Sequence, residues 1–143
     1  MFIYAISFAI VLVDQLTKFL ALQFLPPHKS IPIIANVFHL SLVKNSGIAF
    51  GLFGERAPGL MIIIIFCLVA LILLSIQMRQ ALLIQRVSIA FILGGAAGNL
   101  IDRFVFGHVI DFLDFRIWPV FNIADSFITI GVAIFIFATI GKR

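Results

Sequence analysis

Between Arg56 and Arg79 the chain runs for 22 residues without a charged side chain, and within that stretch lies Met61-Ile-Ile-Ile-Ile-Phe66. About 20 apolar residues cross the hydrocarbon core of a bilayer as a helix, so this segment predicts a membrane span by itself. Three more apolar segments flank it, one after Met1, one between Arg86 and Asp102, and one between Asp125 and Lys142. Each reaches spanning length only if an acidic residue enters or borders the hydrocarbon layer. Such a placement is expensive and usually marks function. The spans are expected at about 2–22, 58–78, 86–103 and 123–141.

Composition leaves little alternative. Of 143 residues 63% are hydrophobic and 11% charged, with a mean hydropathy of +1.24. A soluble domain this small has too little interior for that much apolar surface. The fold class is therefore an all-α membrane protein, a four-transmembrane-helix bundle. The uncharged start followed by Asp14 lacks a basic leader and a small-residue cleavage site, so it reads as a retained helix. Cys67 has no second cysteine to pair with and reads as a small buried hydrophobe. The net charge of +4 suits anionic membrane lipids. No basic–aromatic stripe is present to grip nucleic acid, and no obligate protein partner is evident.

Charge also orients the chain. Arg79, Arg86, Lys142 and Arg143 share one side without acids, whereas all six acidic residues fall on the other. Six basic residues also lie there, but they are spread over longer loops shared with acids. The positive-inside rule then predicts cytoplasmic termini. In the first outer connection, Val37-Phe-His-Leu-Ser-Leu-Val-Lys44 partly alternates apolar with polar residues, as a half-buried strand does. With Pro26, Pro27 and Pro32 before it and Gly47, Gly51 and Gly54 after it, a small periplasmic β-element is expected at about 30–54. No long repeat or low-complexity linker divides residues 1–143, which read as one domain.

Alternating spans gather Asp14, Asp102, Asp111, Asp114 and Asp125 at one leaflet. Bland readings exist for most of them. Asp14 and Lys18 are spaced i,i+4 and form a plausible ion pair. Asn122-Ile-Ala-Asp125 has the pattern of a helix cap. Gly94-Gly-Ala-Ala-Gly98 offers a small-residue packing face. Asp102 is followed at once by Arg103, and pairing between them is expected. Asp111 stands apart, with apolar neighbours and no adjacent cation; desolvation there favours the protonated acid. Asp125, by contrast, lies where a helix N-terminus attracts negative charge. Two carboxyls in such different surroundings can divide acid and base roles, one activating water and the other protonating a peptide carbonyl. That chemistry needs neither metal nor cofactor.

Other chemistries fit less well. His28, His39 and His108 show no H-E-x-x-H spacing, and no G-x-S-x-G elbow occurs. Lys44 and Ser46 are close enough in sequence for a Ser–Lys pair but lie on a loop. A cation-coupled transporter using intramembrane acids would need more than four unrepeated spans or an oligomer. A scaffold with a purely structural polar core is the remaining rival.

Five motifs, taken in order, carry a resemblance: Asp14-Gln-Leu-Thr-Lys18, Asn45-Ser-Gly-Ile-Ala-Phe50, Gly94 to Arg103, Val109-Ile-Asp-Phe112 and Phe121-Asn-Ile-Ala-Asp-Ser126. Together they resemble the bacterial lipoprotein signal peptidase (signal peptidase II) family. The resemblance implies an inner-membrane aspartyl endopeptidase that cuts before the diacylglyceryl-modified cysteine of prolipoproteins. It implies four helices, a periplasmic β-cradle and a short helix along the membrane. It casts Asp111 and Asp125 as the catalytic pair. Asn45, Asn99, Arg103 and Asn122 become groups holding the substrate backbone and the dyad, and Asp14, Lys18 and Asp102 supporting residues. Asp102 is the rival for the first catalytic position; Asp111 is preferred because Arg103 should hold Asp102 ionised and paired.

Overall fold

The computed structural model describes residues 2–46 and 58–140. Its elements are α1 (Phe2–Phe24), β1 (Ser30–Ile34), β2 (Phe38–Asn45), α2 (Pro58–Gln77), α3 (Leu83–Phe106), β3 (Val109–Asp114) and α4 (Ile123–Ile140). All four helices contain a stretch long and apolar enough to cross a membrane. Lipid offers backbone N–H and C=O groups no partners, so helices that satisfy themselves are the form such segments take. Phe8, Leu16, Ile62, Phe66 and Phe137 point outward and are more than half exposed. That outer coat makes sense only against hydrocarbon, in a multi-pass membrane protein.

α3 is the hub, packing against each of the other three helices. Its small-residue face explains the closeness. A Cβ on Gly94 would lie 2.8 Å from the Ser7 backbone oxygen of α1, and one on Gly98 would lie 2.5 Å from Asp14 Oδ2. On the neighbouring face, a Cβ on Gly95 would collide with the Ala124 carbonyl of α4. The bare backbone of α3 thus lets two helices bring polar side chains in beside it. The helix runs one turn further at its start than the charge pattern predicts, because Gln85 and Arg86 are taken into its first turns. It ends on Gly107, whose φ of 77° and N–H bond to the Arg103 carbonyl close the helix with a left-handed residue.

That stop throws the chain directly into β3. The expected β-element is a three-stranded antiparallel sheet in the order β1-β2-β3. Its third strand is the α3–α4 connection itself, which lies outside the β-element expected at about 30–54. Residues 47–54 of the expected element lie outside the described residues. Among the described residues no short helix corresponds to the membrane-surface helix implied by the resemblance. A small apolar cluster of Ala21, Leu25 and Phe112, flanked by Leu40, Leu42, Leu113 and Ile123, anchors the sheet to α1 and α4.

Candidate active site

Asp14, Lys18, Asn45, Asn99, Asp102, Asp111, Asn122 and Asp125 meet at the sheet end of the bundle. Helix α4 opens with Asn122 as cap: its Oδ1 accepts the Asp125 N–H at 2.9 Å, and Asp125 Oδ2 accepts the Asn122 N–H at 3.3 Å. This reciprocal pair satisfies the free donors of the first turn. It leaves the Asn122 amide free to donate to Asp111 Oδ1 at 2.7 Å. One asparagine therefore holds both carboxyls, one through its backbone and one through its side chain. The cap expected of Asn122-Ile-Ala-Asp125 is formed, and the same asparagine also reaches Asp111.

Two further asparagines complete the cradle. Asn99 of α3 donates to Asp125 Oδ1 at 2.7 Å, while its own oxygen accepts from Asn122 Nδ2 at 3.0 Å and from Lys18 Nζ at 2.9 Å. Asn45, at the end of β2, donates to Asp111 Oδ2 at 2.8 Å. Asp111 is 1% exposed, and its burial, with the Asp125 charge nearby, pushes its carboxyl above the ordinary range despite the Asn45 bond.

Next to these two carboxyls lies a second cluster. Lys18 Nζ donates to Asp14 Oδ2 and to Asp102 Oδ2, both at 2.8 Å. Asp14 Oδ1 also accepts the Ala124 N–H of α4 at 2.9 Å, adding its charge to a positive helix end. Asp102 Oδ2 accepts the Ile110 N–H at 3.0 Å, which ties β3 to α3 one residue before Asp111. This cluster couples α1, α3, β3 and α4 at one point.

The expected Asp102–Arg103 pair does not form. Adjacent residues on a helix point about 100° apart and do not face each other, so Asp102 turns inward to Lys18 while Arg103 turns elsewhere. Arg103 Nη1 donates to the Asn99 carbonyl at 3.2 Å, and its buried Nε has no partner among the described residues. Asp102 is ion-paired as expected, but with a different cation. Gln15 was overlooked: its amide donates to Asp102 Oδ1 at 2.9 Å and to the Gly98 carbonyl at 3.2 Å. Its place beside Asp14 in a polar patch of an otherwise apolar helix was the available signal. Among the described residues no cluster of His, Cys, Asp or Glu is arranged to hold a metal ion.

A cavity of about 490 Å³ is lined by Phe115, Trp118, Phe121, Thr129 and Ile130 together with Asp125. Its lining is almost wholly apolar, so a reacting bond at Asp125 would be flanked by hydrocarbon-like space.

Known proteins resemble this chain over most of its length. The family model for signal peptidase (SPase) II matches residues 6–141. The chain is 43% identical over 134 residues to the lipoprotein signal peptidase of Halothermothrix orenii, covering 94% of this chain and 92% of that one. It is 44% identical over 133 residues to that of Moorella thermoacetica, covering 90% and 86%. A solved bacterial membrane enzyme superposes with a TM-score of 0.84 at 34% identity, covering 96% of this chain and 86% of that one. With a family model that matches nearly its whole length and relatives more than 40% identical over most of it, the chain belongs to the signal peptidase II family.

Proposed function

We propose that this protein removes the signal peptide from diacylglyceryl-modified prolipoproteins, cutting before the lipidated cysteine, with Asp111 and Asp125 as its catalytic pair. The observation that carries the residue assignment is Asn122 gripping both carboxyls at once. In this reading Asp125 takes a proton from water as the water oxygen attacks the scissile carbonyl. Asp111, whose burial favours the protonated form, donates to the carbonyl oxygen. The gem-diol then collapses: Asp125 passes its proton to the departing cysteine nitrogen, the C–N bond breaks, and Asp111 recovers its proton as the carboxyl forms. Arg103, with a guanidinium nitrogen that has no partner among the described residues, is suited to a substrate backbone carbonyl.

The supporting groups follow from the same geometry. Asn45, Asn99 and Asn122 orient the two acids, and the Asp14–Lys18–Asp102 cluster holds the elements that carry them. A signal peptide is an apolar helix and can approach through lipid, and the apolar cavity beside Asp125 suits a lipid-modified substrate. The basic turn between α2 and α3 lies at the opposite end of α3 from Asp102 and the sheet. Charge bias then favours cytoplasmic termini in the bacterial inner membrane, with the dyad and the sheet at the periplasmic face.

The direct test is cleavage of a diacylglyceryl-modified prolipoprotein by the purified protein in detergent. Release of the signal peptide, unchanged by EDTA, is expected. No cleavage, or loss that zinc restores, would overturn the metal-free dyad.

The pH dependence has a definite sign. The working form needs Asp111 protonated, and its pKa is raised by burial and by Asp125. Turnover should therefore persist above the ordinary aspartate range, near pH 3.9, and decline as pH rises through the raised value. A kcat that climbs steadily through alkaline pH would contradict the acid role of Asp111.

A further inference from the structure

We infer that Ser41 is a positioning residue: it pins a bulge in β2 that turns Asn45 onto the side of the sheet occupied by Asp111. The inference rests on Asp111 being catalytic and adds a device that sets its geometry.

Strand parity makes the case. At one end of the β2–β3 ladder His39 pairs with Asp114 and Leu40 with Leu113; at the other, Val43 pairs with Asp111 and Asn45 with Val109. Between them Ser41 and Leu42 oppose Phe112 alone, so β2 carries one extra residue. Residues directly opposite share a face, and residues two apart on a strand share a face. Asn45 therefore lies with Val43 and Asp111, and its amide reaches Asp111 Oδ2 at 2.8 Å. In an unbulged strand Asn45 would fall with Ser41 and His39, on the face of Asp114. A slip of one residue reverses every later side chain. The bulge decides whether Asn45 can touch the dyad.

The strap across the bulge is a directed chain of hydrogen bonds. Ser41 Oγ donates to Asp114 Oδ2 at 2.7 Å and lies 2.8 Å from Ser30 Oγ, which is 2.8 Å from His39 Nδ1. Asp114 is held below the usual carboxylate range, chiefly by the Ser41 bond and also by Arg116, so it only accepts. The single hydroxyl hydrogen of Ser41 must go to Asp114. Ser30 then donates to Ser41, and His39 donates to Ser30 from a protonated Nδ1. One chain, from His39 of β2 through Ser30 of β1 and back to Ser41, ends on Asp114 and fastens the bulged residue to the strand that bears Asp111.

The test measures kcat, KM and the pH profile for cleavage of a diacylglyceryl-modified prolipoprotein by the full chain in detergent. Ser41→Ala is expected to lower kcat about ten-fold through loss of alignment, with KM held within about two-fold. Its alkaline limb should move to higher pH, since Asn45 is a donor that holds Asp111 down. Ser41→Thr should restore both. Added to Asn45→Ala, Ser41→Ala should cost nothing further, because both remove the same contact. Independent, additive losses or an unmoved alkaline limb would overturn the inference. Should Ser41→Ala fail to fold, Ser30→Ala must show the same shift in smaller size; a lower melting point with a wild-type pH profile would overturn it. Asp111→Asn is measured alongside. Full activity there removes the dyad, and this device with it; an inactive Asp111→Asn beside a wild-type Ser41→Ala profile removes the device alone.

Discussion

Asp111→Asn and Asp125→Asn should each lower the rate of prolipoprotein cleavage by about 10²- to 10⁴-fold, the range that a positioned acid or base contributes. The folds should survive. Asparagine keeps the shape of aspartate, and each site retains a carbonyl oxygen for one of the donors that now bind it. At position 111 those donors are the amides of Asn45 and Asn122. Only one of the two can still be satisfied, a cost of about 1–3 kcal/mol. Melting points measured beside turnover separate this cost from the chemistry. Asp102→Asn is the decisive companion. Asp102 accepts from Lys18, Gln15 and the Ile110 N–H, so its substitution should loosen the support of β3 without removing a reacting group. If Asp102→Asn alone abolished cleavage while Asp111→Asn cleaved normally, the dyad would be assigned to the wrong acids.

Four spans and the gathering of acids at one end were legible in the sequence because both follow from length and alternation. A charge-free run such as that after Arg56 admits one solution in lipid, and alternating helices fix which ends meet. The Asn122–Asp125 cap was legible for the same reason, being local. What stayed hidden depended on direction or register. Asp102 and Arg103 are neighbours in the chain, yet helix geometry separates them, and the cation that finds Asp102 is 84 residues away at Lys18. Strand β3 was missed because Val109-Ile-Asp-Phe-Leu-Asp114 is buried on both faces over much of its length and does not alternate. The bulge at Ser41 leaves no compositional trace, since it exists only in the pairing of β2 with β3. The polar residues of the site were thus identifiable, but not which of them touch.

Lys18→Met should be the most destabilising single change at a residue outside the dyad. Lys18 is 2% exposed, and the two carboxylates it joins are each 0% exposed. Removing one partner of a buried ion pair leaves charge without compensation and typically costs about 3–5 kcal/mol; here one ammonium serves two acids. Methionine nearly preserves the volume of the stem, so lost packing contributes little. The damage should spread beyond α1, because Asp14 also accepts the Ala124 N–H of α4 and Asp102 the Ile110 N–H beside Asp111. Asn99 would lose a donor in the same stroke. Denaturation in detergent should show a large fall in stability together with reduced cleavage. A double variant, Lys18→Met with Asp102→Asn, should recover part of the stability, since one of the stranded charges is then neutral. That partial rescue is the discriminating result. If Lys18→Met cost less than about 1 kcal/mol, as an exposed pair would, or if Asp102→Asn made it worse by an additive amount, the cluster could not be the electrostatic joint that holds the dyad's supporting elements together.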